Sequence, residues 1–349
     1  MTETLYLQVS DPHKDRDKIC RAAKLLREGE LVAFPTETVY GLGANALNPR
    51  AVEAIYAAKG RPLDNPMIVH IAALRDIGLV CREVPAAARA LSARFWPGPL
   101  TLVLPAGSRI PPVVTGGLDT VAVRIPDHPV ALAILQEAAV PVAAPSANSS
   151  GRPSPTRAEH VLEDLEGRIA ALVDAGPCRV GVESTVLDMT GKAPKILRPG
   201  GISLEELRDL LPGVEPPPEG PFPRAEAPAS PGMKYRHYAP RAPLYLLEGE
   251  AQAVRREISR LCRAYSRQGL KVGLLTAAPF QAEDRCLNLN LGGRENPGAA
   301  ASRLFAALRQ MDAAGVEVIL AEGIPEEGMG LAVMNRLRKA AGKNILLCD

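Results

Sequence analysis

Apolar positions recur along the chain at helical and strand-like spacings, and local stop signals bound most of the elements they predict. Ile19, Ala22, Ala23 and Leu26 lie at helical spacing and predict an amphipathic helix over 15–27, stopped by Gly29. The apolar run 31–34 predicts a short strand ended by Pro35. Asn48-Pro49 supplies an N-cap and a first helical position for a helix reaching about Lys59. Strands are predicted at 67–71, 101–104, 121–125 and 142–144, and a helix over 85–95 ends before Pro97. Asp127 is read as the cap of a helix that stops before Pro141. Thr156 with Glu159, and Ser203 with Glu206, have capping-box spacing. Strands near 170–173, 185–187 and 195–197 complete a first domain, 1–211.

The pattern breaks over 212–241, where Pro212, Pro216, Pro217, Pro218, Pro221, Pro223, Pro228, Pro231 and Pro240 crowd together. Such a segment favours extended conformations and reads as a linker, but it ends in the cation- and aromatic-rich stretch Lys234-Tyr235-Arg236-His237-Tyr238. Order returns over 242–349. Strands at 244–247, 271–276, 316–321 and 345–348 alternate with helices at 251–266, 297–314 and 330–341, the pattern of a small Rossmann-like α/β domain.

Composition narrows the function classes without choosing one. The chain has 349 residues, 46% hydrophobic and 4% aromatic, with a net charge of +2, which argues against a protein that coats nucleic acid. No run of 18 apolar residues occurs, and Met1 to Asp17 has no signal-peptide core, so a cytoplasmic protein without a membrane span is expected. Cys20, Cys81, Cys178, Cys262, Cys286 and Cys348 form no CxxC pair and read as reduced thiols.

The candidate chemistry lies at strand ends. Gly41-Leu42-Gly43-Ala44-Asn45-Ala46 fits G-x-G-x-x-A, but the helix starts later than a dinucleotide fingerprint requires, so a turn that brings backbone close to a ligand is the better reading. No Gly-Lys precedes Ser or Thr, so there is no P-loop. Pro35-Thr36-Glu37-Thr38 can orient a small polar ligand or form a hydroxyl-stabilised turn. Lys59-Gly60-Arg61 reads either as a solvated helix end or as a phosphate grip. His70 ends an apolar strand, where a satisfied core histidine is the default. Thr120, Ala122 and Arg124 share one strand face, and a buried Arg124 there needs an anion, internal or bound. Pro145-Ser146-Ala147-Asn148-Ser149-Ser150-Gly151 is a hydroxyl- and amide-rich loop suited to phosphates, and Gly181-Val182-Glu183-Ser184 and Arg198-Pro199-Gly200 follow the same style.

Lys59-Gly60-Arg61 followed by Ser146-Ala147-Asn148 resembles the KxR…SxN signature of the YrdC-like family. Pro35-Thr36-Glu37-Thr38-Val39-Tyr40-Gly41, Phe95-Trp96-Pro97-Gly98-Pro99, Val123-Arg124-Ile125-Pro126 and Leu197-Arg198-Pro199-Gly200 resemble it too, in the same order. His237-Tyr238-Ala239-Pro240 and Met334-Asn335-Arg336 resemble the longer, two-domain form. The resemblance implies an α/β protein with an open twisted mixed sheet and a smaller Rossmann-like C-terminal domain. It implies synthesis of threonylcarbamoyl-adenylate from ATP, L-threonine and bicarbonate, with Mg2+ as helper, no organic cofactor, and a separate tRNA threonylcarbamoyl transferase as recipient. Direct contact with tRNA stays open.

By the same resemblance, Thr38, His70, Arg124, the Ala144 backbone and Ser184 hold threonine. Arg61, Asn65, Thr120, Ser146, Ser154, Arg198 and Tyr238 hold the nucleotide. Lys59 and Asn148, with Arg61 and Ser146, serve phosphate or carbamate groups, and Thr36 lies close by. No general base is identified. The labile product favours a lid, for which the linker with Tyr238 is the candidate. The alternatives are a carbamoyl-phosphate-using step of hydrogenase maturation, whose accessory regions are absent here, and a double-stranded RNA-binding module without nucleotidyl transfer.

Overall fold

The computed structural model describes residues 3–218, 237–281 and 286–349. They form two compact units. The first comprises residues up to Ser150, Ser154–Arg179 and the described residues of Glu183–Tyr235; the second comprises Gly151–Pro153, Val180–Val182 and the described residues of Arg236–Asp349. The middle of the expected linker, with Lys234, Tyr235 and Arg236, lies outside the described residues, and so does most of the expected lid.

The first unit is built on one sheet. Its strands are β1 (Leu5–Gln8), β2 (Val32–Phe34), β3 (Gly41–Asn45), β4 (Ile68–His70), β5 (Leu100–Pro105), β6 (Thr120–Arg124), β7 (Val142–Ala143), β8 (Ala171–Asp174), β9 (Thr185–Asp188) and β10 (Lys195–Arg198). They lie in the order β1-β8-β2-β3-β7-β4-β6-β5-β9-β10. The sheet is mixed: β4 and β6 run parallel, as do β5 and β9, while β5 and β6 run antiparallel.

Among the described residues seven α-helices accompany it: α1 (Arg16–Glu28), α2 (Pro49–Lys59), α3 (Ala86–Phe95), α4 (Pro112–Thr115), α5 (Pro129–Ala138), α6 (Ala158–Leu165) and α7 (Leu204–Leu210). Helix α1 stops at Gly29, whose left-handed backbone returns its N–H to Leu25 and Leu26. Asn48 caps α2, accepting from the Arg50 and Ala51 amides ahead of Pro49. Ser203 and Glu206 close a reciprocal capping box on α7. Ile19, Ala22, Ala23 and Leu26 of α1 join Val32, Phe34 and Val142 in one apolar core. Val69, Val121, Val123, Leu102 and Leu187 point into a second, larger one.

The second unit carries β11 (Leu244–Gly249), β12 (Val272–Thr276), β13 (Cys286–Asn290), β14 (Val318–Glu322) and β15 (Ile345–Cys348), ordered β13-β12-β14-β11-β15. All their pairings are parallel, with α8 (Ala251–Arg267), α9 (Pro297–Ala313) and α10 (Gly330–Ala341) between strands, as the Rossmann-like pattern predicts. The unit draws in two segments distant in sequence. Arg309 of α9 donates to the Pro153 carbonyl at 2.7 Å. Gly181, at φ +79°, approaches α9 so closely that a Cβ would stand 2.4 Å from the Ser302 Cα.

Several expectations need correction. Gly41–Asn45 is not a ligand-facing turn but a strand between β2 and β7. Asp127 does not cap α5; its carboxylate pairs with Arg179 at 2.7 Å, and His128 occupies the cap position. Thr156 forms no capping box, because α6 begins at Ala158 with Arg157 as its cap residue. The sulfurs of Cys262 and Cys286 lie against each other between α8 and β13, with Cα atoms 7.5 Å apart, wider than a disulfide spans. Cys20, Cys81, Cys178 and Cys348 are free.

Gly43 shows why β3 carries glycines. A Cβ there would lie 2.6 Å from Phe34 Cε1 and 2.9 Å from Val142 Cγ1. Gly43→Ala therefore overpacks the contact and should lower stability by about 1–3 kcal/mol. Urea unfolding monitored by circular dichroism checks this, and an unchanged midpoint would contradict it.

Candidate active site

One face of the sheet is unlike the other. Register pairs His70 with Arg124, Thr101 with Val186, and Val186 with Arg198. Thr101 and Val103 of β5 lie on the same face as Ala122 and Arg124 of β6. Five adjacent strands, β4-β6-β5-β9-β10, therefore turn His70, Arg124, Thr120, Thr101 and Arg198 to one side. A thin apolar floor of Ile68, Val103, Ala122, Val186 and Leu197 lies among them. The opposite face of the same strands is core.

Loops complete that face. Lys59 ends α2, and its ammonium donates to the backbone carbonyls of Ser146 and Asn148. The Ser150 amide returns a bond to the Lys59 carbonyl at 2.8 Å. The cation at position 59 is thus 2% exposed, and the solvated-helix-end reading is wrong for it. Arg61 follows Gly60, which adopts the left-handed conformation that ends α2. Its guanidinium donates to the carbonyls of Asn65 (3.3 Å) and Pro66 (2.9 Å).

The hydroxyl-rich loop after β7 reaches the loop before β9, where Ser154 Oγ donates to Glu183 Oε1 at 2.5 Å. Arg198 then donates to the Ser184 carbonyl (3.0 and 3.2 Å) and Oγ (3.2 Å), and Ser184 Oγ is 2.7 Å from Thr101 Oγ1. Contacts therefore run unbroken from Lys59 through the 146–154 loop and Glu183-Ser184 to Arg198.

A second cluster sits at the carboxyl ends of β2, β4 and β6. Arg124 donates to Glu37 Oε2 at 2.5 Å and to Thr38 Oγ1 at 3.1 Å. Thr36 Oγ1 lies 2.8 Å from Thr38 Oγ1 and accepts from the Thr38 and Val39 amides, so the hydroxyl-stabilised turn is present as well. The Ala144 amide donates to the Ile68 carbonyl, two residues before His70. Thr120 is half-buried at the far end of β6 from Arg124, opposite Pro105. Tyr238 belongs to the second unit, where its ring stacks on Phe305 (5.2 Å) with the Arg336 guanidinium 5.5 Å from its centre.

A match to the Sua5–YciO–YrdC family, described as "Telomere recombination", spans residues 24–200. A second, to the threonylcarbamoyl-AMP synthase C-terminal domain, spans 202–342. The chain belongs to the two-domain Sua5–YrdC family. Among its relatives are proteins named threonylcarbamoyl-AMP synthase from Pyrococcus abyssi, 51% identical over 94% of this chain and 95% of that one, and from Bacillus subtilis, 49% identical over 99% of both. The crystal structure of P. abyssi Sua5 complexed with L-threonine matches over 99% of both chains with a TM-score of 0.92 at 49% identity. Like these relatives, the chain is an enzyme of the transferase class. Among the described residues, no helix is long and apolar enough to cross a membrane.

In this Sua5–YrdC enzyme three buried polar atoms of the Arg124 cluster lack a protein partner: Glu37 Oε1, His70 Nδ1 and Arg124 Nε. Leaving a buried polar group unsatisfied costs about 1–3 kcal/mol, so three in one cluster mark a place suited to polar ligand atoms. Residue reading missed Glu37 as the carboxylate of Arg124, Glu183 as the acceptor of Ser154, and Thr101 beside Ser184. The first was available in principle, since a buried arginine demands an acid and Glu37 stands between two quoted threonines.

Burial, and then the Arg124 charge, push the His70 imidazole down to about 3, so it is neutral at physiological pH. Burial likewise pushes His128 down to about 4. For a histidine depressed in the fold, stability is fully present above pH 6.5 and is lost as the unfolded chain takes up protons the folded chain refuses. His70→Gln should therefore flatten part of the fall in melting temperature between pH 6.5 and 4, with His128 keeping the remainder. Identical pH slopes in variant and parent would contradict this.

Proposed function

We propose that this enzyme makes L-threonylcarbamoyl-adenylate from ATP, L-threonine and bicarbonate and releases pyrophosphate. The observation that carries the reading is the tie of Lys59 to the Ser146 and Asn148 carbonyls, which joins both halves of the KxR…SxN signature at one place. The names of full-length relatives and the threonine complex of P. abyssi Sua5 support it. Family membership leaves the double-stranded RNA-binding alternative unfavoured. The product serves a separate transferase that modifies adenosine next to the tRNA anticodon, in the cytoplasm. Residues 1–211 are assigned the catalytic work.

In this reading Thr38, His70, Arg124, the Ala144 backbone and Ser184 receive threonine, and Arg124 grips its carboxylate. Arg61, Asn65, Thr120, Ser146, Ser154 and Arg198 hold the nucleotide, a role the resemblance also implies for Tyr238. Threonine's nitrogen takes up the carbon of bicarbonate or CO2 to give a carbamate. A carbamate oxygen then attacks the α-phosphorus, and the bond to the bridging oxygen breaks as pyrophosphate leaves.

No protein nucleophile is required. Catalysis is positioning together with stabilisation of charge on phosphate oxygens by Lys59, Arg61 and Arg198. Among the described residues no three His, Cys, Asp or Glu side chains gather as a metal-ligand set, and we assign Mg2+ to the ATP phosphates, as part of the substrate.

Removing one such cation should cost about 2–4 kcal/mol in the transition state. Lys59→Ala and Arg61→Ala should each lower threonine-dependent pyrophosphate release more than about tenfold. Near-normal turnover in both would refute the phosphate assignment. Incubating the parent protein with ATP, bicarbonate and each amino acid, then detecting the adenylate by mass, tests the reading as a whole.

A further inference from the structure

We infer that Glu37 is the base that takes the proton from the amine of the amino-acid substrate, so that the nitrogen can attack CO2. The inference rests on the function proposed above and deepens it.

An α-ammonium, which titrates near pH 8 at chain termini, is almost wholly protonated at neutral pH and has no lone pair for a C–N bond. A base within the amino-acid site must remove that proton. Glu37 is 1% exposed and uses one carboxylate oxygen on Arg124, while the other, Oε1, is buried without a protein partner. On the same cluster, Arg124 Nε also lacks a partner. The pair therefore offers one free cationic donor and one free anionic acceptor, the complement of a zwitterion's carboxylate and ammonium.

The other groups facing Glu37 are unsuited to the task. His70, beside Arg124 on β4, is pushed down to about 3 by burial and the arginine charge, because taking up a proton would set a second buried cation next to the first. The Cys178 thiol, after β8, is pushed up by burial and by the Glu37 charge, and it stays protonated. Arg124 is held below its ordinary range by burial but supported by Glu37 and Asp127. In a site closed to water, proton transfer converts an ammonium–carboxylate ion pair into a neutral pair and removes two desolvated charges together.

The step balances. The ammonium gives one proton to Glu37 Oε1, leaving a neutral amine. Bicarbonate loses hydroxide as CO2 forms, and the amine lone pair makes the C–N bond to that carbon. The second nitrogen proton passes to the hydroxide as water, leaving the carbamate anion and a protonated Glu37.

The test uses the full chain and Glu37→Gln, whose amide oxygen can still accept from Arg124. Adenylate formation from ATP, bicarbonate and threonine should fall about 10²–10⁴-fold at pH 7. It should climb about tenfold in all between pH 7 and pH 9 as free amine appears in solution, while the parent stays nearly flat. Threonine binding, read by calorimetry, should weaken with loss of the ion pair, so rates are compared at saturating threonine. ATP formation from supplied threonylcarbamoyl-adenylate and pyrophosphate, which needs no ammonium deprotonation, should stay within about threefold of the parent. Glu37→Asp keeps the carboxylate and guards against misfolding of the amide variant; it should retain the parent's flat profile at a reduced rate. Parental rates at pH 7 in Glu37→Gln, or equal loss of both directions of the reaction, would overturn the assignment. A parent protein that makes no adenylate would instead overturn the function on which it rests.

Discussion

Cations taken out of water set the geometry of the first unit. An ammonium or guanidinium inside a protein must be met by acceptors or it destabilises the fold by several kcal/mol. Lys59, Arg61, Arg124 and Arg198 are all buried, at 2–9% exposure, and each is answered from a different part of the chain. Lys59 reaches carbonyls about ninety residues away, Arg124 reaches the turn after β2, and Arg198 reaches the loop before β9. These bonds have defined directions, so they hold loops that the apolar core leaves unfixed. The same charges that impose the arrangement are those a polyanion would use.

The mixed sheet makes this affordable. Where strands have helices on both faces, inward positions must be apolar throughout. Along β4-β6-β5-β9-β10 one face is core, while the other alternates a sparse floor with His70, Thr101, Thr120, Arg124 and Arg198. Partial satisfaction is part of the arrangement. Arg124 has partners for two of its nitrogens and none for Nε, and Glu37 has one engaged oxygen and one idle. A site whose every donor and acceptor were internally matched would have nothing left to offer a ligand.

Much of this was legible from residues, and the exceptions share a physical cause. Helices α1, α2 and α7 declare themselves through spacing and caps, which are local signals. The face shared by Thr120, Ala122 and Arg124 follows from strand alternation. Strand β1 escaped notice because four residues at a sheet edge, paired only with β8, carry almost no periodic signal. Strand β13, whose residues are half-exposed, escaped for the same reason. Gly41-Leu42-Gly43 was mistaken for a turn because the feature that explains glycine there, the Phe34 ring and Val142 overhead, belongs to other strands. Asp127 was misjudged because its partner, Arg179, is long-range. The KxR and SxN pairs were visible as motifs, but that Lys59 is buried against the SxN backbone follows only from the folded chain.

Strand β1 has one more consequence, which concerns birth on the ribosome. Its neighbour β8 lies about 165 residues downstream, so at cellular elongation rates the first strand waits roughly 10–30 s for its mate. During that interval Leu5 and Leu7 can find no native seat, and β2, which also borders β8, has one side unfilled. The sheet can therefore close at this edge only once about half of the chain has been made.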